Sequence, residues 1–110
     1  MLHSTYKCNA GCPVEGTMEV IGGKWKGVIL YHLLEKTYRF GELKKIMPGI
    51  TQHTLTKQLR ELEAYDIVNR KVYAEVPPKV EYSLTERGKS LEKIILMMRD
   101  WGAANLSLAK

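Results

Sequence analysis

The stretch Pro48-Gly49-Ile50-Thr51-Gln52-His53-Thr54-Leu55-Thr56-Lys57-Gln58-Leu59-Arg60-Glu61-Leu62-Glu63-Ala64-Tyr65-Asp66 decides the fold. Pro48-Gly49 is a turn signal. Thr51 suits a helix N-cap, because its hydroxyl can accept one of the N–H groups that a first turn leaves unpaired. Leu55, Leu59 and Leu62 then recur at i, i+4 and i+7, the spacing of one buried helix face, and Asp66 marks the end. With those leucines inward, a turn of about 100° per residue puts His53, Thr56, Lys57 and Arg60 on the opposite face. Gln52 sits at the exposed N-terminal end.

Working upstream, Gly41 to Met47 predicts a short helix with Leu43, Ile46 and Met47 inward, and Tyr38-Arg39-Phe40 a strand residue or two. Lys24 to Glu35 predicts a helix buried on two sides: Trp25, Val28, Ile29 and His32 or Leu33 on one, Leu30 and Leu34 on the other. Cys12-Pro13 reads as the start of a first helix, since proline is favoured where an N–H would be unpaired anyway. Val14, Thr17, Met18 and Ile21 continue it, and Gly22-Gly23 supplies the positive φ of a C-cap. Residues 1–11 read as a flexible arm, and residues 12–110 as the domain.

Downstream, Ile67 to Tyr73 and Val80 to Leu84 predict two strands around the turn 74–79, a β-hairpin. Thr85 caps a last helix reaching about Asn105. The order predicts a mainly α protein with a small β-hairpin wing (α+β), the winged helix-turn-helix arrangement. The last helix carries two apolar lines: Leu91, Ile94, Ile95 and Met98, then Met97, Trp101, Ala104 and Leu108. A domain this small covers one line. The second predicts a partner, most simply a twofold copy, so Leu91, Ile94, Ile95, Met98 and Trp101 are the candidate dimerisation residues. The alternative is a helix buried wholly in its own domain.

At 110 residues the chain is one domain, burying roughly 65% of its unfolded surface. Its hydrophobic and charged contents, 45% and 26%, argue against a disordered chain. No apolar run approaches the ~20 residues of a membrane span, and Met1 to Lys7 lacks the apolar core of a secretory signal. The expectation is a cytoplasmic protein with no membrane partner. Its net charge of +5 is compatible with nucleic acid as partner. Residues 24–45 hold six basic and two acidic side chains, the densest positive stretch. Lys44 and Lys45 there are candidate phosphate contacts, with Lys24 and Arg39 further round the domain. Arg70, Lys71 and Lys79 give the wing a similar role. On the fourth helix, Gln52 suits adenine, Lys57 guanine and Thr56 a thymine methyl, while the helix N-terminus at Thr51 favours phosphate. For each residue the alternative is ordinary solvated charge.

Enzyme signatures are missing: Gly22-Gly23-Lys24-Trp25 lacks the upstream glycine and the Ser or Thr of a P-loop, and neither G-x-S-x-G nor H-E-x-x-H occurs. Cys8 and Cys12 form C-x3-C, which needs more ligands than His3 to hold zinc. No cofactor or metal is expected. Cys12 stands at a helix N-terminus, a place that favours the thiolate, although Glu15 opposes the shift.

Taken together, Cys12-Pro13-Val14-Glu15, Gly22-Gly23-Lys24-Trp25, Arg39-Phe40-Gly41-Glu42-Leu43, Pro48-Gly49-Ile50-Thr51, Leu59-Arg60-Glu61-Leu62-Glu63, Val76 to Thr85 and Gly88 resemble the HxlR-type bacterial transcriptional regulators. The resemblance runs from Cys12 to Trp101. Glu35-Lys36-Thr37 departs from the Gly-Pro turn frequent there, and the family pattern gives Cys8 no role. The resemblance implies a homodimeric regulator, such as a repressor, that binds double-stranded DNA in the bacterial cytoplasm. It also makes Cys12 a candidate redox switch, because some members sense electrophiles or oxidants at that cysteine. Two rival readings are a winged-helix protein-docking module, whose fourth-helix face should be apolar, and a regulator that senses a small effector without thiol chemistry.

Overall fold

The computed structural model describes residues 11–107. The elements are α1 (Pro13–Ile21), α2 (Lys26–Glu35), β1 (Tyr38–Arg39), α3 (Phe40–Ile46), α4 (Gln52–Ala64), β2 (Val68–Tyr73), β3 (Lys79–Leu84), α5 (Glu86–Lys89) and α6 (Glu92–Asn105). The arm, with Cys8 and His3, and Leu108 at the other end lie outside the described residues.

The core forms around α4. Leu55, Leu59 and Leu62 are buried and join Ile29, Leu30 and Leu33 of α2, Leu43 of α3 and Val68 of β2 in one cluster. Each such side chain contributes roughly 1.5–3 kcal/mol on leaving water. The start of α4 is fixed by Thr51, whose Oγ1 accepts the Thr54 N–H at 3.0 Å. At its end, Asp66 takes φ +61, a conformation aspartate tolerates better than most side chains. The Asp66 and Ile67 N–H groups then return to the Glu63 and Leu62 carbonyls, both at 3.0 Å, and the chain turns into β2.

β2 and β3 pair antiparallel from Val68↔Leu84 to Tyr73↔Lys79. Tyr38-Arg39 becomes a third strand on the other edge of β3, with Tyr38 opposite Tyr82, giving the order β1-β3-β2. Because side chains alternate across a sheet, Val68, Arg70 and Val72 share a face with Val80, Tyr82 and Leu84. Lys71 and Tyr73 share the other with Lys79 and Glu81. Val68 and Tyr82 are buried, so the first face is the core face.

Several expectations are corrected. The expected single last helix is two, α5 and α6, separated at Ser90 and Leu91. The reason is that each half docks on a different element. Thr85 Oγ1 donates to the Asp66 carbonyl at 2.7 Å, which pins α5 to the α4–β2 corner, whereas α6 packs on α2. Gly88 is what lets α5 approach: a Cβ there would lie 2.2 Å from the Ile67 carbonyl oxygen. After α1, Gly23 alone has the positive φ (+80), while Gly22 is extended and donates its N–H to the Met18 carbonyl. Helix α2 begins two residues later than expected, at Lys26. Val28 and Ile46, expected inward, are exposed, because α2 turns Ile29, Leu30 and Leu33 to the core and α3 needs only Leu43 and the following Met47 to seal it.

Candidate nucleic-acid interface

Helix α4 presents the outward face that its leucine spacing requires. Gln52, His53, Lys57 and Arg60 are exposed, and Thr56 is half-buried. His53, Thr56, Lys57 and Arg60 line one shallow hollow with Glu61. A second hollow of about 400 Å³ separates α4 from the sheet: Gln52, Thr56 and Arg60 form its helix wall, Arg70, Val80 and Tyr82 its sheet wall, and Phe40 a further side. Arg60 and Thr56 thus open onto both hollows, and the second is lined by two guanidinium-bearing residues, Arg60 and Arg70, and by the Glu63 carboxylate.

The wing's basic residues divide between its faces. Arg70 is on the α4 side. Lys71 and Lys79 are on the other, with their ammonium groups 4.9 Å and 4.5 Å from the centre of the Tyr73 ring. The Tyr73 hydroxyl donates to Glu81 Oε1 at 2.8 Å, and Lys79 Nζ lies 3.6 Å from Glu81 Oε2. These contacts, the tyrosine hydrogen bond foremost and Lys79 and Arg39 after it, hold the Glu81 carboxyl below its ordinary value. The outer face therefore carries partly compensated charge, whereas Arg70 lies beside α4.

Lys44 and Lys45 are exposed in the last turn of α3, just before the turn into α4. Cations there also suit the helix dipole. Arg39 is opposite Glu81 in the sheet, and its N–H donates to Glu42 at the start of α3. Lys24 lies over the Trp25 ring at 4.8 Å. One contact at this face was not visible in the sequence: Lys26 of α2 reaches Glu61 of α4, 35 positions away. That hydrogen bond is the main cause that lowers the Glu61 carboxyl pKa, with the nearby Lys57 charge a smaller one.

Away from α4, the helices α1, α2 and α6 enclose an apolar groove of about 390 Å³, walled by Met18, Val28, Tyr31 and Met98 among others. Ile94, Met97, Met98 and Trp101 are exposed along α6, Trp101 by 62%. Ile95 is buried in its own core, and Leu91 is half-buried against it. Cys12 is 3% exposed at the N-cap of α1, and its carbonyl accepts the Gly16 N–H at 3.0 Å. Among the described residues no group of three His, Cys, Asp or Glu could hold a metal ion. No described helix is long and apolar enough to cross a membrane.

A family model described as HxlR-like helix-turn-helix matches residues 20–110. The HTH-type transcriptional regulator YybR of Bacillus subtilis (strain 168) is 59% identical over 100 residues, which cover 91% of this chain and 80% of YybR. Among solved structures, the redox regulator HypR in its oxidized form aligns with a TM-score of 0.84 at 59% identity, covering 88% of this chain and 100% of that one. HypR in its reduced form aligns at 0.82 and 60% identity, covering 84% and 92%.

Proposed function

The chain belongs to the HxlR-like helix-turn-helix family of transcriptional regulators, and from that premise we propose that it reads an inverted-repeat operator in double-stranded DNA as a homodimer in the bacterial cytoplasm. The observation that carries the reading is the α4 face. Gln52, His53, Thr56, Lys57 and Arg60 are hydrogen-bonding or cationic, and among the described residues α4 bears no exposed large hydrophobic. A surface built to dock protein would be apolar there. Helix α4 is then the recognition helix in the major groove, with Thr51 and the helix N-terminus at a phosphate. Arg70 is a phosphate contact from the wing, Lys44 and Lys45 contact the backbone before the turn, and Lys71 and Lys79 serve the wing's outer edge. The exposed Ile94, Met98 and Trp101, continuous with the apolar groove, support a twofold partner along α6. The test is selection of duplexes from a random library, then footprinting. The expected result is an inverted repeat with protected half-sites about 10 bp apart, or a multiple of that, and binding that weakens steeply with salt. Selection of no sequence would refute it.

A specific observation supports a second layer, a redox switch at Cys12. The similar regulator HypR is known in oxidized and reduced forms, and Cys12 stands at the N-cap of α1, 3% exposed. The response is read as operator affinity before and after diamide or a quinone in the parent, Cys8→Ser and Cys12→Ser proteins. Loss of the response in Cys12→Ser alone is expected. Full affinity after Cys12 is modified, verified by mass spectrometry, would exclude the switch.

A further inference from the structure

Lys26 lies in the first turn of α2 and Glu61 in the third turn of α4, and Lys26 Nζ donates to Glu61 Oε1 at 2.5 Å. The Lys26 side chain is only 11% exposed and that of Glu61 39%. Lysine is seldom so buried without a partner, because its ammonium gives up water that only a well-placed acceptor replaces. Among the described residues, the other three ion pairs join side chains at most three positions apart; this one alone joins two elements. Its position matters. The leucines of α4 hold the helix to the core by apolar contact, which is non-directional and fixes depth better than rotation or axial slide. A charge-assisted hydrogen bond is short and directional. Glu61 follows Arg60 directly, stands one turn beyond Lys57 and shares their hollow. A tie at Glu61 therefore fixes the azimuth from which both cations project.

We propose that Lys26 is a positioning residue for base reading: through Glu61 it sets the rotation of α4 against α2, and so the register of Lys57 and Arg60 on the DNA. The inference rests on α4 being the recognition helix. It also gives α2, which packs on α6 as well, a direct polar link to the reading face.

The test compares operator with random-sequence duplex, the operator being the one the parent protein selects. Glu61→Ala breaks the tie and leaves the 11%-exposed Lys26 ammonium without its acceptor, so circular dichroism checks that the variant folds. It also deletes a negative charge beside the DNA-facing hollow. Charge alone predicts tighter binding to every duplex with an unchanged preference. Positioning predicts tighter binding to random DNA together with an operator preference reduced about tenfold, the worth of a misplaced base contact. Lys26→Met should lose the preference similarly, and Lys26→Arg, which keeps a donor for Glu61, should retain it. Should Glu61→Ala fail to fold, Lys26→Met, which puts an apolar side chain in the buried place and leaves Glu61 partly in water, decides together with Lys26→Arg, and a parental preference retained in Lys26→Met then overturns the assignment. A parental preference retained in Glu61→Ala overturns the assignment. A parent that selects no sequence overturns the recognition-helix reading itself, and this assignment with it.

Discussion

Arg60→Ala and Arg70→Ala separate base reading from backbone attraction, because the two residues stand on opposite walls of one hollow, Arg60 on α4 and Arg70 on β2. Both are exposed; arginine to alanine is nearly neutral for helix propensity at Arg60, and strand propensities span only about 1 kcal/mol at Arg70, so neither change should unfold the protein. On α4, Arg60 can reach a base edge. Losing a base contact costs about 1–3 kcal/mol per half-site, or roughly five- to 150-fold in affinity for each half-site, and the loss should fall on the operator. Arg70, at the sheet side, is the proposed phosphate contact. Its removal deletes one cation per protomer, hence two per dimer. The slope of log K against log salt should then flatten by about 1.8, with a similar fractional loss on every sequence. The assay is fluorescence anisotropy with operator and scrambled duplexes at several KCl concentrations, with circular dichroism to check that both variants are folded. If Arg60→Ala weakens both duplexes equally while Arg70→Ala erodes the preference, the two roles are exchanged. If neither variant changes binding, the DNA surface lies elsewhere and the α4 reading fails.

Gly88→Ala places a methyl 2.2 Å from the Ile67 carbonyl oxygen, which the Thr85 N–H also holds at 3.0 Å. The strain of about 1–3 kcal/mol should exceed the ~1 kcal/mol that alanine gains in a helix, so urea unfolding should show net destabilisation; a stabilised variant would refute the close packing. The parent should sediment at micromolar concentration as twice the 12.6 kDa chain, and Trp101→Glu at the chain mass, because a carboxylate would be buried in the α6 interface; a monomeric parent removes the dimer argument. The Glu81 carboxyl has a lowered folded pKa, so its contribution to stability is complete above the unfolded value and is lost as pH falls through the folded one. Carboxyl-carbon NMR should show a midpoint below that of an ordinary glutamate, rising towards it in Tyr73→Phe; an unmoved midpoint would deny the hydroxyl its part.

What could be read without coordinates was whatever repeats within one element. The leucine spacing of α4 placed its buried face, and the same periodicity placed Gln52, His53, Lys57 and Arg60 outside, because a helix makes azimuth a function of sequence position alone. The hairpin was legible for the same reason: its two strands lie close in the chain. The break at Ser90 and Leu91 was not, since Thr85 and Leu91 both satisfy a continuous helical pattern. Only the separate docking of α5 on the α4–β2 corner and of α6 on α2 divides them.

The limit is the same at the candidate site. Composition and spacing supplied the basic side chains but could not sort them, because Arg70 and Lys71 are neighbours whose opposite directions depend on the strand's orientation to the core. Pairing Arg70 with Tyr82 and Lys71 with Glu81 sends one towards α4 and the other away. The Lys26–Glu61 contact left no trace in the sequence, since two residues 35 positions apart meet only when α2 and α4 have packed on a shared core. Local periodicity and short motifs were enough for the order of helices and strands, the buried face of α4 and the family. Which charges lie beside α4, where the last helix breaks, which faces of α2 and α3 are buried and which side chain ties α2 to α4 came only with the packed fold, because each depends on distances between segments that the chain order does not encode.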